Sequence, residues 1–421
     1  MHNISRVIIV FSILCFSNQS TAGGPITVQG PDGHTPVNYQ NPNITMHVEN
    51  GDLGAMSNAV TVALMQDAFD LWSNVTTSSV NLVINQTQLN FDIFIDNFDT
   101  YLPDVNNSNL HTDDNLNPIV YDSNGEIIDE YFGLGQSDFV IGFAASVFAT
   151  NSSHFIEGYT VINGKDFGLT NTQLKIIFAH EIAHFFGLDH SQNNINNRES
   201  FFDLPLFCLS TNSENYPLMY PVSCRNSDSL HADDISAVSA LYPAANINDS
   251  FGILQGHFLD ESGNAILGAN IWAENTTTGV IVSVVSDYLK QGTGYFKLYL
   301  PPGKYTLHAN SINTEFTAGS GVGPYSITSS DTSFRSPHPI AEVTFHGSSE
   351  TNNEVIAITT RQTVTIDFAN TGALIITEPN NDPDNKSDDD DSLSDLFGAT
   401  SHITLIIMFG LLVCARSLTK P

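Results

Sequence analysis

Residues 180–190 read His-Glu-Ile-Ala-His-Phe-Phe-Gly-Leu-Asp-His and decide the fold of the chain. His180 and His184 are four positions apart, so a helix places them one turn apart on the same face. Gly187 can adopt the left-handed conformation that ends helices, and the chain then turns so that His190 can supply a third nitrogen. Three protein ligands leave one position of a tetrahedral zinc ion open, as catalytic zinc requires. The stretch therefore predicts a zinc site held by His180, His184 and His190.

Glu181 follows the first of these histidines and can reach a water in the open position, which predicts it as the general base. The plain alternative is a core helix whose histidines are hydrogen-bonded. Three histidines, one glutamate and one glycine at fixed offsets favour the metal site over that alternative. Thr170 and Gln173 form a capping box upstream, so we expect a helix over residues 170–186.

This eleven-residue run resembles the zinc signature of the metzincin clan of metalloproteases. Residues 217–221, Pro-Leu-Met-Tyr-Pro, are similar to the methionine-containing turn of that clan, which implies that Met219 forms an apolar floor beneath the imidazoles. Ser191, the run from Leu218 to Pro221 and the stretch from Leu230 to Tyr242 are similar to the matrixin subgroup. The resemblance covers residues 36–245. It implies a zinc endopeptidase with an α+β fold, in which a twisted sheet carries the active-site helix.

The resemblance also implies how a substrate is held. An extended peptide is expected to pair with an edge strand upstream of the helix, over Gly142–Val147. Tyr220 and Pro221 are expected to shape the pocket for the residue after the cut. The chain departs from vertebrate matrixins in one respect: no cysteine lies between Cys15 and Cys208, so a propeptide cysteine cannot cap the zinc ion.

The chain is strongly acidic. Its 421 residues, enough for two or three domains, include 45 acidic and 13 basic side chains, and the net charge is −32. Such a surface repels phosphates and anionic lipids, which argues against nucleic acid as a partner. Salty surroundings, calcium binding and solubility alone all remain explanations of the charge. The Asp-rich loop 113–130 offers oxygen ligands for Ca²⁺ without a diagnostic spacing, and His111 and His154 stand alone, so no second zinc site is predicted.

Residues 1–22 read as a signal peptide. A short polar start precedes an apolar run too short to span a bilayer, and small residues follow at the cleavage positions. Cys15 lies in this segment and Cys414 in an apolar tail, so Cys208 and Cys224 are the cysteines of the exported body. In an oxidising compartment they most simply form a disulfide, which would bracket the methionine turn; two free buried thiols are the alternative.

Hydrophobic periodicity predicts further elements of the first domain. The predicted strands are Asn43–Val48, Val80–Ile84, Phe91–Ile95, Phe139–Phe148 and Gly158–Ile162. The predicted helices, apart from the zinc helix, are Asn58–Trp72 and Ala232–Leu241. Residues 99–130, rich in Asn and Asp, are expected to form a long surface loop.

The hydrophobic pattern of the sequence changes near residue 250, where helical periodicity stops and short predicted strands alternate with turns. Residues 256–279 and 294–307 together resemble a carboxypeptidase-regulatory or prealbumin-like β-sandwich. We therefore predict five segments: a signal peptide (1–22), a protease domain (23–245), an all-β sandwich (250–375), an acidic linker (376–395) and an apolar tail (396–421). The sandwich has no catalytic constellation, and both a spacer and a binding role stay open for it.

The apolar tail has three interpretations. Leu396–Ala415 is long enough to span a bilayer as an anchor, and it is also compatible with a sorting signal that is cut and replaced by a covalent anchor. The third is an incidental apolar end. The acidic spacer before it and the basic residues after it favour the first two, so we expect an exported protein, extracellular or anchored to a membrane or cell envelope.

These observations predict a secreted or surface-anchored zinc endopeptidase that hydrolyses peptide bonds of extracellular proteins. One alternative is a non-catalytic zinc-binding adhesin on a protease-like fold, against which the intact Glu181 argues. Another is an exopeptidase or a different metal hydrolase, against which His190 and the methionine turn argue.

Overall fold

The structure of the chain is a computed structural model that describes residues 24–87, 89, 91–101, 116–149, 152–191, 210–221, 223–311, 341–348, 353–375 and 403–408. The predicted signal peptide, Cys208, His111 and the acidic linker lie outside these residues. None of the helices in the described part of the chain is long and apolar enough to cross a lipid bilayer.

The elements of the first part of the chain alternate between strands and helices. The strands are β1 (Val28–Gln29), β2 (Thr35–Pro36), β3 (Asn43–Val48), β4 (Asn81–Asn85), β5 (Pro118–Asp122), β6 (Gly142–Ala149) and β7 (Phe155–Asn163). The helices are α1 (Asn58–Ser73), α2 (Glu126–Phe132), α3 (Asn171–Phe185), α4 (Ala232–Leu241) and α5 (Ile247–Ser250). The predictions for Asn43–Val48, Asn58–Trp72 and Ala232–Leu241 are confirmed, and those for the strands β4, β6 and β7 hold with shifted ends.

The second part is made of strands. These are β8 (Gly252–Leu259), β9 (Ala269–Asn275), β10 (Ile281–Val285), β11 (Tyr295–Leu300), β12 (Gly303–Ser311), β13 (Val343–Thr344), β14 (Ile356–Ile358), β15 (Thr363–Thr365) and β16 (Phe368–Ala369). They form two sheets, one with β10, β9, β12, β13 and β14 and one with β11, β8, β15 and β16. Buried side chains of both sheets, among them Leu254, Phe296, Ile271 and Leu307, belong to one core.

The main sheet is six-stranded and mixed. Its order is β17-β6-β7-β5-β3-β4, where β17 is Ile403–Met408 from the predicted tail. β4, β3, β5 and β7 are parallel to one another, whereas β6 is antiparallel to β7. β17 runs antiparallel along the outer edge of β6, with Leu405 opposite Val147. The strand expected to receive an extended substrate is therefore paired with the tail.

Helices cover both faces of this sheet because side chains of a strand alternate between its faces. Ala144 and Phe148 of β6 belong to the core that contains α1 and α3. Phe143 and Val147 belong to the opposite core, with α2. The helix α3 is thus held between α1 and the sheet, where it packs on β6 and β7.

The prediction of a strand over residues 91–95 and that of a loop over residues 99–130 were wrong. Residues 91–95 form no strand: the amide of Ile93 donates to the Glu49 carboxylate and that of Phe94 to the side chain of Asn97 at 2.9 Å. Side chains thus satisfy these amides, and Ile93 is buried without a sheet partner. Residues 99–130 are not all loop, because they contain β5 and most of α2. The strand β5 is fully buried and lies between the parallel strands β3 and β7. The polar Asn and Asp residues on either side of it led to the prediction of a loop.

Candidate metal centre

The helix α3 begins and ends as its sequence predicts. The side chain of Thr170 accepts from the Gln173 amide at 3.3 Å, and Gln173 Oε1 accepts from the Thr170 amide at 2.9 Å, which confirms the capping box. Gly187 has φ of 105°, and its amide donates to the carbonyl of His184. The next amide donates to Ala183, so the helix ends in a Schellman motif. A Cβ on Gly187 would lie 2.8 Å from the Phe155 ring.

Three buried side chains outside the helix fix its last turns. Trp72 Nε1 donates to the carbonyl of Ala179 at 2.9 Å, and Ser146 Oγ donates to that of Phe185 at 2.6 Å. The Tyr242 hydroxyl donates to the carbonyl of Phe186 at 2.7 Å. Carbonyls at a helix end have no partner within the helix. These bonds satisfy two of them and attach the end of α3 to α1, β6 and the end of α4.

The three predicted ligands converge on one point. The Nε2 atoms of His180 and His184 lie 3.0 Å apart, those of His184 and His190 3.1 Å, and those of His180 and His190 3.2 Å. All three side chains are buried. Among the described residues, this is the one group of three or more His, Cys, Asp or Glu side chains whose ligand atoms come together in this way.

Hydrogen bonds set the tautomer of two of the rings. His180 Nδ1 lies 2.8 Å from the carbonyl of Leu218, and His184 Nδ1 lies 2.8 Å from the carbonyl of Leu188. A carbonyl oxygen only accepts, so each Nδ1 carries the proton and each Nε2 presents a lone pair. His190 Nδ1 lies 3.7 Å from the Asp189 carboxylate. Such outer partners orient metal-binding imidazoles in known sites.

The donor set fits a small divalent cation. Nitrogen ligands of a tetrahedral zinc ion with bonds of about 2.0–2.1 Å lie about 3.3 Å apart, close to the separations seen in this triad. Lone pairs that face one another this closely repel unless a cation or protons lie between them. Burial opposes protonation: it lowers the pKa of His180 to about 4, and it lowers that of His184 well below its usual range, with the neighbouring His190 and His180 adding to the shift. The cluster therefore has the donor atoms, the spacing and the burial to hold a metal ion.

Glu181 is fully buried at the side of the triad. Gly142, the first residue of β6, lies directly against it: a Cβ on Gly142 would be 3.1 Å from Glu181 Cγ and 3.0 Å from the carbonyl oxygen of Val161. The absence of a side chain at Gly142 therefore leaves the space that Glu181 fills. The predicted general base and the predicted substrate strand are in contact.

The methionine turn is tied to both ends of the zinc motif through its backbone. The carbonyl of Leu218 accepts from His180, and that of Met219 accepts from the amide of Ser191 at 2.7 Å. Met219 and Leu218 are buried in the same core as Ala179. Met219 thus lies in the predicted turn next to the ligands; its role as an apolar floor stays a prediction.

Two acidic residues of the site were missed by sequence reasoning. Asp234 accepts from the amides of Leu218 at 2.8 Å and Met219 at 3.0 Å, so it clamps the turn. Asp233 accepts a short hydrogen bond from Ser191 Oγ. Both are buried, and burial raises the pKa of Asp233 to about 7. Two acids in the first turn of a helix are usually read as partners of the helix dipole, and the similarity of residues 230–242 to matrixins did not assign these roles to them.

The remaining predicted residues lie beside the turn. Tyr220 is buried against Tyr216 and Cys224, and Pro221 is buried next to it. Cys224 is disulfide-bonded, while Cys208, its expected partner, lies outside the described residues, so the pairing itself stays a prediction. Whether Tyr220 and Pro221 line a substrate pocket likewise remains a prediction.

The segment after the predicted signal peptide lies along the end of the zinc motif. The amide of Ile26 donates to the carbonyl of Gly187 at 2.9 Å, and the amide of Asp189 donates to the carbonyl of Gly24 at 3.2 Å. Asp189 is buried, and burial raises the pKa of its carboxyl well above the usual range. Residues 24–26 therefore cover the turn that brings His190 to the metal site.

Comparison of the sequence with protein-family models and with curated proteins gave no match. The function therefore has to be inferred from the chemistry of the site.

Proposed function

We propose that this chain is a zinc-dependent endopeptidase, in which His180, His184 and His190 hold the metal ion and Glu181 is the general base. One observation carries the proposal: three buried imidazoles direct their Nε2 atoms to one point within 3.2 Å of one another, beside a buried glutamate. Imidazole ligands suit zinc, and three of them leave a coordination position for chemistry.

When bound, zinc would supply a Lewis acid that polarises the scissile carbonyl and makes a water acidic enough to attack it. Glu181 accepts the proton of that water as it attacks and then passes a proton to the leaving amine. Glu181 is fully buried with its Cγ against Gly142, and a catalytic group that is positioned in advance lowers the entropic cost of the reaction. The hydrogen bonds of His180 and His184 to backbone carbonyls keep both rings in the orientation that ligation requires.

The substrate is proposed to bind as an extended strand along the outer edge of β6. Backbone groups of an edge strand offer hydrogen bonds to a peptide of any sequence, which suits an endopeptidase. Gly142 at the start of β6 touches Glu181, so a peptide on this edge passes the general base. The tail strand β17 occupies the same edge, and a substrate would have to replace it.

Export is part of the proposal. The disulfide at Cys224 fits an oxidising compartment, in line with the predicted signal peptide. Extracellular proteins or peptides are the proposed substrates, and the acidic chain argues against nucleic acid as a partner. A membrane or envelope tether would use the same tail, and residues 403–408 would then have to leave the edge of β6. A role for Ca²⁺ stays open, because part of the Asp-rich loop lies outside the described residues.

The proposal is tested with the chain from residue 23 onward and its Glu181→Gln variant, both assayed for zinc content and for hydrolysis of casein or gelatin. We expect activity in the first that a chelator abolishes, and a loss of at least about 100-fold in the variant with zinc retained. Glu130→Gln is the matched control, because Glu130 is helical but exposed. If both proteins hold zinc and neither cuts a broad peptide library, the recognition-module alternative replaces the peptidase.

A further inference from the structure

One buried carboxylate joins the metal centre to the β-sandwich. Asp233, the second residue of α4, accepts from Ser191 Oγ through one oxygen. Its other oxygen accepts from the amide of Ser283 at 2.5 Å and from the Ser283 hydroxyl at 3.0 Å. Ser283 is the central residue of β10 in the sandwich. The oxygens of the two serine hydroxyls lie 3.5 Å apart, so the three residues form one compact cluster.

This cluster is shielded from water. Asp233 exposes 2% of its surface, Ser191 1% and Ser283 5%. Burial of a carboxylate costs free energy unless hydrogen bonds compensate for the lost water. Each hydrogen bond to a buried carboxylate therefore contributes more to stability than one at the surface. In the described part of the chain the Asp233 carboxylate accepts from Ser191 Oγ and from two groups of Ser283. Loss of the sandwich would therefore leave the carboxylate without most of its partners.

Ser191 directly follows the third candidate ligand. Its amide donates to the carbonyl of Met219 at 2.7 Å, and its hydroxyl is held by Asp233. His190 therefore lies between a backbone segment fixed by Gly24 and Asp189 on one side and a serine fixed at two atoms on the other. Unlike His180 and His184, it is not on the helix, so these contacts have to define its position.

We propose that Ser283, acting through Asp233 and Ser191, positions His190 for metal binding, so that the β-sandwich is a structural part of the metal centre. The inference rests on the proposed metal site but not on peptidase activity. It assigns the second domain a role in the site itself, where the sequence left a spacer and a binding module as the open choices. Asp233 and Ser283 are positioning residues, since neither touches the metal position.

The test is the affinity of the full chain for Co²⁺, measured by titration with its visible absorption spectrum as a second readout, in Asp233→Ala, Ser283→Ala and Ser283→Thr. We expect about 10- to 100-fold weaker binding in Asp233→Ala, the range seen when outer-shell partners of metal ligands are removed. Ser283→Ala keeps the backbone donor, so a loss of about 3- to 10-fold is expected, with an altered spectrum. Thr restores the hydroxyl and should restore the affinity.

Ser236→Ala is the matched control. Ser236 lies on the same helix and donates to the carbonyl of Tyr299 in the sandwich at 3.0 Å, so its loss weakens the same interface without touching Asp233. Its Co²⁺ affinity and spectrum should equal those of the parent chain. The proposal is overturned if folded Asp233→Ala and Ser283→Ala bind Co²⁺ with the parent affinity and spectrum, or if Ser236→Ala weakens binding as much as they do. A chain that binds Co²⁺ with the expected differences but cuts no peptide would refute the peptidase and leave this inference standing.

Discussion

His180 donates its Nδ1 proton to the backbone carbonyl of Leu218, 38 residues further along the chain, at 2.8 Å. The bond makes the methionine turn an orienting partner of the first candidate ligand. The position of this methionine turn depends on Asp234, whose two carboxylate oxygens accept from the amides of Leu218 and Met219. A chain of backbone contacts thus runs from the start of α4 to the metal position.

We expect Asp234→Asn to weaken zinc binding by about 10- to 100-fold, the range for outer-shell partners. The amide group of Asn offers one acceptor where the carboxylate offers two, so either Leu218 or Met219 loses its partner and the carbonyl that orients His180 can shift. Competition with a chelator measures the affinity. Asp228→Asn is the control, because Asp228 is exposed and paired with Lys175 at 2.6 Å. Equal affinities in both variants would show that the clamp does not serve the metal.

Gly142→Ala tests the contact between β6 and the general base. The new methyl group would lie 3.1 Å from Glu181 Cγ and 3.0 Å from the backbone oxygen of Val161, so the carboxylate has to move by a few tenths of an ångström. We expect kcat to fall about tenfold with zinc content unchanged, since a displacement of 1 Å can cost about 100-fold. Steady-state kinetics with a peptide substrate gives the value.

The comparison for this prediction is Gly303→Ala on β12 of the sandwich. Its methyl group would lie 2.6 Å from Asn275 Nδ2 and 3.2 Å from the Tyr305 ring, so it crowds side chains of the second part of the chain. It should lower the melting temperature and leave kcat per folded molecule near the parent value. If Gly142→Ala behaves in the same way as Gly303→Ala, the contact with Glu181 has no role in catalysis.

Glu49 should make the stability of the fold depend on pH. Burial raises the pKa of this carboxyl from 4.5 to about 8, against the lowering effect of hydrogen bonds from the Tyr121 and Ile93 amides, while Asp92 and Asp122 add to the rise. A raised pKa favours the protonated native form, so its stabilising effect is complete below pH 4.5 and is lost as the pH approaches 8. The loss is at most about 1.4 kcal/mol per pH unit.

Melting curves of the parent chain and of Glu49→Gln, both with a chelator present, isolate this effect. The variant cannot titrate at this position, so its melting temperature should fall less between about pH 5 and pH 8 than that of the parent. The variant as a whole is expected to be less stable, because its amide leaves one backbone donor without an acceptor. Parallel curves over this range would mean that Glu49 is ionised in the native state.

Removal of residues 396–421 should speed cleavage of peptides, because β17 lies on the edge of β6 where the substrate is proposed to bind. We expect kcat/KM to rise in the shortened chain through a lower KM. Leu405→Pro and Ile406→Pro test the same point at full length, since proline removes a backbone donor from a strand. Adjacent residues of a strand direct their amides to opposite sides, so one of the two should match the truncation and the other should have little effect. Identical KM values in all four chains would show that the tail does not compete with substrate.

Local rules were sufficient for part of this protein. The capping box at Thr170, the stop at Gly187 and the four-residue spacing of His180 and His184 all depend on contacts within a few residues, and the structure has each of them as predicted. Local rules failed for residues 91–95, where the side chains of Glu49, 44 residues away, and of the nearby Asn97 replace the bonds of a strand. They also failed for β5, whose short apolar run becomes a central strand because its neighbours bury it.

The sequence by itself determined the helix α3 and the candidate ligand set, because helix geometry and helix stop signals act over one or two turns. Apart from the local bond between His184 and the carbonyl of Leu188, tertiary structure decided what holds this set in place. Asp234 reaches the methionine turn from 15 residues away, and Asp233 meets Ser283 50 residues away. Such contacts produce no periodic pattern in the sequence, because the sequence does not distinguish a buried aspartate from an exposed one. The role of each acid follows from its burial and its hydrogen bonds, which exist only once the sheet, the helices and the sandwich have packed together.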